Sequence, residues 1–355
     1  MAAVSRIVVV LFNLGGPDGS ASIRPFLYNF FMDKNIIRLP LPLRWLLALL
    51  ISCRRAKREA GESYGMLGGA SPLLANTQAQ AAALEKELGA DHKVFVCMRY
   101  WRPMTDEVAR KVKDYAPDRI VLLPLYPQYS TTTTRSSFQS WDRAAKKAGL
   151  DVPCARICCY PLDAGFISAS AKFVKIAYEA ALGQISGCGL PPPRLLLSAH
   201  GLPEDVIADG DPYQWQCEES AKAIAVATGI AQLDWAICYQ SRVGPKKWIG
   251  PSTIDELRRA AADKVPVIIY PHAFVSEHVE TLVEIEIEYG HLAKELGIPY
   301  FARVPTAGVA PDFIRGLAAM VRNGGFAEGI FSFPAGKTCP QKFCRCAMTV
   351  PGAGW

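Results

Sequence analysis

The chain has 355 residues, of which 50% are hydrophobic, and a formal net charge of +6 at pH 7. This length allows a substantial buried core and is typical of two domains. The mild charge, and the absence of any nucleic-acid-binding fingerprint from the sequence, exclude a dedicated nucleic-acid-binding protein.

The first predicted element is a buried strand, Ile7–Phe12, which runs into a glycine turn at residues 13–17. Its apolar run is too short and too poorly flanked to be a signal peptide, so we expect a cytoplasmic protein. The cysteines number 11. In a reducing compartment an odd number argues against a disulfide framework and leaves metal binding as a role for some of them.

Further strand-like runs follow along the chain, each succeeded by a turn and a helical pattern. They are Lys93–Cys97, Arg119–Leu125, Arg194–Ser198, Asp234–Tyr239, Val265–Tyr270 and Pro299–Val304. Strands that are apolar throughout and alternate with helices indicate parallel sheets covered on both faces. We predict an α/β fold of two doubly wound, Rossmann-like parallel-sheet domains with a cleft between them.

A stretch rich in glycine and proline, Gly183–Pro193, divides these strands into two groups. We therefore predict an N-terminal domain over residues 1–185, a C-terminal domain over 186–330 and a cysteine-containing tail over 331–355. Ligands of open α/β sheets bind beyond the carboxyl ends of the strands. Polar and aromatic residues follow these ends, but the sequence has no Walker motif or dinucleotide fingerprint. Such a crevice is suited to a large, flat and apolar ligand.

The segment 36–51 is rich in leucine but is interrupted by prolines and arginines. Its longest unbroken apolar run, Trp45–Ile51, is far shorter than the ~20 residues that cross a bilayer. Basic residues follow at Arg54, Arg55, Lys57 and Arg58, as in a helix that lies in the interface of an anionic membrane. A core helix with a basic cap is an equally good interpretation. Both fit an apolar lip that receives a hydrophobic substrate from lipid.

Glutamates recur at steps of three and four residues in the stretch after Phe274, at Glu277, Glu280, Glu284 and Glu288. This spacing places side chains on one face of a helix, where like charges repel. A solvated acidic face is one interpretation. A histidine inside the run, the scarcity of interleaved cations and the strand that feeds into it favour another, a carboxylate ladder that conducts protons or cations.

Six motifs in chain order resemble those of the ferrochelatases, the terminal enzymes of haem synthesis, over nearly the full chain. They are Gly68-Gly-Ala-Ser-Pro72, Tyr126-Pro-Gln-Tyr-Ser130, Leu197-Ser-Ala-His200-Gly-Leu-Pro203, Gly210-Asp-Pro-Tyr213, Gln240-Ser-Arg-Val-Gly-Pro245 with Trp248-Ile-Gly-Pro251, and the acidic run Ser276–Tyr289. The resemblance implies a chelatase-type fold. It also implies the insertion of Fe²⁺ into protoporphyrin IX to form protohaem, with the release of two pyrrole protons.

By the same resemblance, His200 is the base that accepts a pyrrole proton and Glu280 is the acid across the ring. These two residues are also the candidate contacts of the substrate iron, and His278 is Glu280's neighbour in the sequence. Glu284 and Glu288 continue as a relay that exchanges metal or protons with solvent. Two protons leave for one divalent cation, so the site turns over without a net charge stranded in a low-dielectric crevice.

The resemblance assigns several porphyrin-contacting positions. They are Leu14, Tyr64, Arg99, Tyr100, Tyr126, Trp248 and Phe274. Leu14 stands where some family members have methionine, so delivery of the metal through a thioether is not available here. Arg99 and Tyr100 match an Arg-Tyr pair in which the arginine holds the pocket and the tyrosine stacks or hydrogen-bonds near the metal. Core packing is the alternative for the aromatic residues.

Three cysteines lie close together in the tail, at Cys339, Cys344 and Cys346. Many ferrochelatases carry a C-terminal iron-sulfur extension, so the resemblance implies a [2Fe-2S] cluster, which needs four thiolates. The spacing of the three cysteines differs from the animal pattern. Zinc on the same ligands and purely structural cysteines are the alternatives.

The fourth cluster ligand must come from elsewhere in the chain. Thr131 occupies the position that is cysteine in the animal pattern. Cys158 and Cys159, adjacent on a candidate strand, are the replacements. We choose Cys158, since neighbouring side chains on a strand point to opposite faces and only one of the two can face the tail.

The expected partners are protoporphyrin IX, Fe²⁺ and the surface of a membrane, with no nucleic acid. A coproporphyrin substrate is the nearest alternative, and the apolar lip favours the less polar porphyrin. A haem or iron-sulfur carrier without catalysis is a second alternative, which the intact pair of His200 and Glu280 disfavours. A cobalt chelatase of related fold is a third. The oligomeric state stays open between a monomer and a homodimer.

Overall fold

The computed structural model of the chain describes residues 6–61, 63–242, 244–324, 328–336 and 339–348, without the side chains of 58–61. The chain divides into two compact units. Unit 1 is formed by Met1–Tyr160, Leu317–Thr338 and Ala347–Trp355, and unit 2 by Pro161–Gly316 and Cys339–Cys346.

Strands and helices alternate along the described chain. The strands are β1 (Ile7–Asn13), β2 (His92–Met98), β3 (Arg119–Pro124), β4 (Cys154–Cys159), β5 (Arg194–His200), β6 (Trp235–Gln240), β7 (Val267–Tyr270), β8 (Phe301–Arg303) and β9 (Gly329–Ser332). The α-helices are α1 (Ser20–Phe31), α2 (Leu41–Gly61), α3 (Leu73–Leu88), α4 (Thr105–Tyr115), α5 (Thr134–Ala148), α6 (Ala164–Gln184), α7 (Glu204–Ala208), α8 (Tyr213–Ala227), α9 (Thr253–Ala262), α10 (Tyr289–Glu295) and α11 (Pro311–Gly324). A 3₁₀-helix spans Gly65–Leu67, and a π-helix spans Glu280–Glu288.

Unit 1 is built on a parallel sheet with the strand order β2-β1-β3-β4-β9. Residues 8–12 of β1 are 0% exposed, which explains why the run is apolar at every position. Burial of each such Val, Leu or Phe side chain contributes about 1.5–3 kcal/mol. On one face Phe12 meets Phe138 and Trp141 of α5 edge to face, with ring centroids 6.1 Å apart in each pair. Helix α5 therefore covers this face of the sheet.

Unit 2 is built on a second parallel sheet with the strand order β6-β5-β7-β8. In this sheet β5 lies between β6 and β7, and the register pairs His200 with Gln240 at the carboxyl end. Leu196 and Ile269 belong to a buried cluster that also contains Ile285 of the π-helix. The core of unit 2 thus fixes the acidic helix against the sheet that carries His200.

The predicted fold class of two parallel α/β sheets is confirmed, and each predicted strand is present. The structure differs from the sequence prediction in which segments of the chain belong to each unit. Helix α6, which we placed before the boundary at residue 185, lies in unit 2, where Tyr270 donates a hydrogen bond to Ser170 at 2.8 Å. The unpredicted strand β9 joins the sheet of unit 1 beside β4. The predicted domain boundaries assumed that each domain is one continuous segment. They missed the return of the chain to the sheet of unit 1 at β9.

Residues 41–51 of the leucine-rich segment form the first half of α2, and several of its large apolar side chains are exposed. Leu41, Leu43 and Leu50 are 56–60% exposed, and Trp45 is 49% exposed. Within the described residues, none of the helices is both long enough and apolar enough to cross a membrane.

Candidate active site

His200 is the last residue of β5, at the carboxyl edge of the sheet of unit 2. Its Nδ1 lies 2.6 Å from the carbonyl oxygen of Gly201. Because a carbonyl oxygen only accepts hydrogen bonds, Nδ1 carries the proton of the neutral ring and Nε2 presents a lone pair. The side chain is 34% exposed, so Nε2 is a base that a ligand can reach.

The carboxylate of Glu280 lies between two imidazoles. Its Oε1 is 3.9 Å from Nε2 of His200, and its Oε2 is 3.7 Å from Nε2 of His278. Nδ1 of His278 faces the carbonyl of Ser276 at 3.1 Å, so this ring also presents Nε2 as a lone pair. Both separations exceed a direct hydrogen bond. Three basic groups therefore face one small volume in which a proton or a cation can be shared.

Glu280 is the first residue of the π-helix. Winding of this kind, with hydrogen bonds from residue i to i+5, is rare and is found mostly at functional sites. The helix then tightens into α10 at Tyr289. The sequence pattern predicted a helix here but assumed ordinary α-helical winding.

Glu284, one turn further along, is held by uncharged donors. It accepts hydrogen bonds from the Gln240 amide at 3.2 Å, the Tyr289 hydroxyl at 2.8 Å, and the Ser241 backbone and hydroxyl at 2.9 and 2.5 Å. Ser241 has φ = 64°, a left-handed conformation that is uncommon for residues other than glycine. Burial, and next the charge of Glu280, raise the pKa of Glu284 above its usual value, against the effect of these donors. This carboxyl is therefore more readily protonated than an exposed one.

The other glutamates of the run have different surroundings. Glu277 and Glu286 both pair with Arg303 of β8, each at 2.9 Å. Glu288 is exposed. The acidic run is thus not a uniform solvated face. Glu284 is partly buried beside Glu280, and Glu288 is exposed to solvent. Arg303 neutralises the charges of Glu277 and Glu286.

Two aromatic side chains of the predicted porphyrin-contacting set adjoin these groups. The ring of Trp248 lies 6.4 Å from that of His200, and the ring of Phe274 lies 4.6 Å from that of His278. A Cβ at Gly201 would lie 2.9 Å from the carbonyl oxygen of Gln240 and 3.2 Å from the Trp248 ring. Only glycine at this position lets the indole approach so closely.

In unit 1, Arg99 and Tyr100 follow β2 and share one buried carboxylate. Arg99 Nη2 and the Tyr100 hydroxyl each donate to Oδ2 of Asp33 at 2.8 Å, and Ser136 of α5 also donates to it. Burial alone would raise the pKa of Asp33, but the charge of Arg99 and the hydrogen bonds hold that pKa below its usual value. Tyr100 is fully buried, so its hydroxyl supports this network.

The remaining predicted porphyrin contacts of unit 1 differ in exposure. Leu14 and Tyr126 are partly exposed, whereas Tyr64 is buried, with only 4% of its surface exposed. Leu14 is tied to Tyr100 through the backbone, since the Tyr100 amide donates to the Leu14 carbonyl at 2.9 Å.

The family model for ferrochelatases matches residues 6–324 of the chain. A curated ferrochelatase of Caulobacter vibrioides (strain NA1000 / CB15N) is 50% identical over 348 residues, which cover 96% of this chain and 97% of that protein. A ferrochelatase of Phenylobacterium zucineum (strain HLK1) is 49% identical over 352 residues, covering 96% and 98%.

The chain belongs to the ferrochelatase family. The predictions of a ferrochelatase and of its reaction, the insertion of Fe²⁺ into a porphyrin in haem synthesis, are confirmed. The fold is also similar to that of the sirohydrochlorin chelatase SirB from Bacillus subtilis subspecies spizizenii, solved in complex with cobalt. The TM-score is 0.52 at 10% identity, over 90% of this chain and 95% of that one, so this likeness concerns the fold alone.

The tail thiols of this ferrochelatase-family chain are not gathered in the structure. Buried Cys339 accepts a hydrogen bond from Gln216 at 3.1 Å, exposed Cys344 donates to the Asp209 carbonyl at 3.5 Å, and Cys346 is buried. Among the described residues, no three His, Cys, Asp or Glu side chains come together as metal ligands. The arrangement as it stands therefore does not fit a [2Fe-2S] cluster.

The choice between Cys158 and Cys159 rested on strict alternation along a strand, and that assumption is wrong here. The register of β4 against β9 shifts between Ile157 and Cys159. The sulfurs of Cys158 and Cys159 are consequently 3.6 Å apart, and both residues are buried in one apolar cluster. A bulge removes the opposite orientation on which the choice depended.

Sequence reasoning missed several residues that shape the site of this ferrochelatase. Asp33, Arg303 and Tyr289 were given no role, since each is brought to its partner by the fold. Ser241 was quoted within a motif but not as a carboxylate donor. Its position directly after β6 is the one signal that was available.

Proposed function

We propose that the chain inserts Fe²⁺ into protoporphyrin IX as the last step of haem synthesis. In this proposal Nε2 of His200 takes a pyrrole proton as general base. The observation that carries it is the 3.9 Å separation of His200 Nε2 from Glu280 Oε1, with the histidine tautomer set by Gly201. A strand-end base beside an acid is what proton removal from the macrocycle requires.

The other acidic residues are proposed to move protons or the substrate cation. Glu280 and His278 face each other at 3.7 Å and would take the second proton or first contact the iron. Glu284, with its raised pKa, would exchange a proton with Glu280, and exposed Glu288 would exchange it with solvent. The porphyrin contacts are proposed at Trp248 and Phe274 in unit 2. In unit 1 they are proposed at Leu14, Tyr64, Arg99, Tyr100 and Tyr126.

The test is an anaerobic assay of Fe²⁺ insertion into protoporphyrin IX and coproporphyrin III by the purified protein. We expect a higher kcat/KM for protoporphyrin IX. A preference for the porphyrin with four propionates would assign the alternative substrate. Absence of insertion into either, with porphyrin still bound, would leave a carrier as the better description.

We also propose that the protein is cytoplasmic and binds the surface of an anionic membrane through α2. Exposed Leu41, Leu43, Trp45 and Leu50 supply apolar area, with Arg54, Arg55 and Lys57 following on the same helix. Such a helix gains from both burial and attraction to anionic lipid. Sedimentation with vesicles should show binding to phosphatidylserine-containing vesicles, weaker binding to phosphatidylcholine alone, and loss with Trp45→Ser. Analytical ultracentrifugation distinguishes a monomer from a homodimer.

The [2Fe-2S] cluster is proposed on the sequence alone, with Cys339, Cys344, Cys346 and Cys158 as ligands. Among the described residues no three potential metal ligands come together, so the cysteine pattern of the sequence is the only support for the cluster. Measurement of iron and acid-labile sulfide in anaerobic protein decides the matter. Zinc in place of iron would assign the competing metal.

A further inference from the structure

Thr281, in the first turn of the π-helix, is 0% exposed, and its hydroxyl bonds the backbone of His278. The His278 amide donates to Oγ1 of Thr281 at 3.0 Å. Oγ1 also lies 3.0 Å from the His278 carbonyl and 2.6 Å from Oε2 of Glu277. That carbonyl already accepts hydrogen bonds from the amides of Thr281 and Leu282, at 3.2 and 3.0 Å. The hydroxyl proton therefore goes to the carboxylate of Glu277, since a charged acceptor makes the stronger bond.

The carboxylate of Glu277 is itself held from the edge strand β8. Its Oε1 accepts hydrogen bonds from Nη1 of Arg303 and from the Thr306 amide, each at 2.9 Å. Arg303 is the last residue of β8, and its side chain is only 11% exposed. A charge-assisted bond to this guanidinium is stronger than a bond between neutral groups. A continuous path of hydrogen bonds thus runs from β8 through Glu277 and Thr281 to the amide of His278.

The other contacts of the His278 ring lie within its own segment of chain. Nδ1 faces the Ser276 carbonyl at 3.1 Å, and the ring centroid lies 4.6 Å from that of Phe274. These contacts move together with the backbone of residues 274–278. The 3.7 Å distance from His278 Nε2 to Oε2 of Glu280 therefore depends on what fixes that backbone. Displacement of a reacting group by about 1 Å lowers a rate by about 10².

We propose that Thr281 is a positioning residue for iron insertion, which holds the His278 imidazole at its distance from Glu280. It acts through the amide of His278 and not on the porphyrin or the iron. Glu277, fixed by Arg303, accepts the hydroxyl proton and so leaves the oxygen of Thr281 turned to that amide. The proposal rests on the proposed function, in which His278 takes a proton or first contacts the iron.

The first measurement is the NMR signal of the His278 ring in the intact protein with isotope-labelled imidazoles. The chain has five histidines, so the spectrum is simple, and the signal lost in His278→Ala is that of His278. Thr281→Val keeps the shape of the side chain and removes its hydroxyl. It should shift the His278 signal and leave that of His92, in unit 1, unchanged. Thr281→Ser keeps the hydroxyl and should restore the wild-type position of the signal.

The second measurement is steady-state insertion of Fe²⁺ into protoporphyrin IX. Thr281→Val should lower kcat about tenfold and leave KM for the porphyrin unchanged, because a misplaced His278 impairs the chemical step and not porphyrin binding. Thr281→Ser should recover most of the loss. Glu286→Gln is the matched control, since Glu286 bonds Nε of Arg303 at 2.9 Å but is 54% exposed and lies outside the path to Thr281. It should leave the His278 signal in place.

Melting temperatures establish that each variant folds, and Glu277→Gln, at a partly exposed residue, takes the place of Thr281→Val if the latter does not. An unmoved His278 signal in Thr281→Val would overturn the proposal. So would a moved signal with kcat within about twofold of the wild type, or a raised KM for the porphyrin with kcat unchanged. Failure of the proposed function looks different. The wild type would then insert no iron, while the NMR comparison would still report whether Thr281 holds the ring.

Discussion

Nε2 of His200 and Oε1 of Glu280 face each other at 3.9 Å, one at the end of a strand and the other in the first turn of a π-helix. Both belong to unit 2, and the buried cluster of Leu196, Ile269 and Ile285 holds their two elements together. A base and an acid are thereby kept within the reach of one small ion without bonding directly to each other.

Replacement of His200 by alanine should abolish iron insertion while porphyrin still binds. Loss of a general base costs about 10²–10⁴ in rate. The measurement is anaerobic turnover, with fluorescence quenching as the check on binding. Retention of more than about a tenth of wild-type turnover would remove His200 from the role of base.

Glu280→Gln should lower turnover by about 10² or more, because it removes the carboxylate that lies between two imidazoles. Glu286→Gln is the paired variant, since Glu286 bonds Arg303 and is 54% exposed. It should leave turnover within about fivefold of the wild type. Equal losses in the two variants would mean that the acidic run acts only as a solvated face.

The stability of Glu284→Gln relative to the wild type should depend on pH. The pKa of Glu284 is raised in the folded protein above its usual 4.5. A carboxyl of this kind gives its full stabilisation below the unfolded pKa and loses it as the pH rises through the folded pKa. The melting temperature of Glu284→Gln should therefore rise relative to that of the wild type as the pH is raised from below 4.5.

Glu288→Gln, at an exposed position, serves as the reference for this pH series. It should follow the wild-type curve throughout. If the melting temperature of Glu284→Gln instead falls relative to the wild type as the pH rises, the pKa of Glu284 is lowered in the folded protein. The hydrogen-bond donors would then outweigh burial.

Protein purified without oxygen should be reddish before porphyrin is added, if the tail carries a [2Fe-2S] cluster. Serine at Cys339, Cys344 or Cys346 should bleach it and lower its melting temperature, since a ligand bound only by the native state stabilises that state. Bleaching by serine at Cys158, with the Cys159→Ser variant still coloured, would identify Cys158 as the fourth ligand. With the two sulfurs 3.6 Å apart, bleaching by Cys159→Ser alone would change only the fourth ligand.

The strands could be predicted because each is a continuous apolar run, as β1 shows with residues 8–12 at 0% exposure. His200 and Glu280 could be singled out because they lie in motifs that resemble those of the ferrochelatases, one at a strand end and the other in a run with helical spacing. Arg303 could not be placed, because its pairing with Glu277 and Glu286 joins residues of separate elements. The bulge at Ile157–Cys159 arises from pairing with β9, which lies far along the chain.

Asp33 illustrates a second limit of sequence reasoning. It follows α1 with no motif around it, yet its carboxylate bonds Arg99, Tyr100 and Ser136 at once. Such a buried hub is specified by three distant partners together. The sequence pattern around Asp33 therefore could not predict this role.

The two ways in which glutamates are held along one helix matter for engineering. Glu277 and Glu286 are balanced by Arg303, whereas the donors to Glu284 are all uncharged. A search for heat-resistant variants would keep Glu277 and Glu286 and would readily replace Glu284. Enzymes commonly keep such costly groups where activity needs them. Heat resistance gained at Glu284 should therefore be screened for lost turnover before it is adopted.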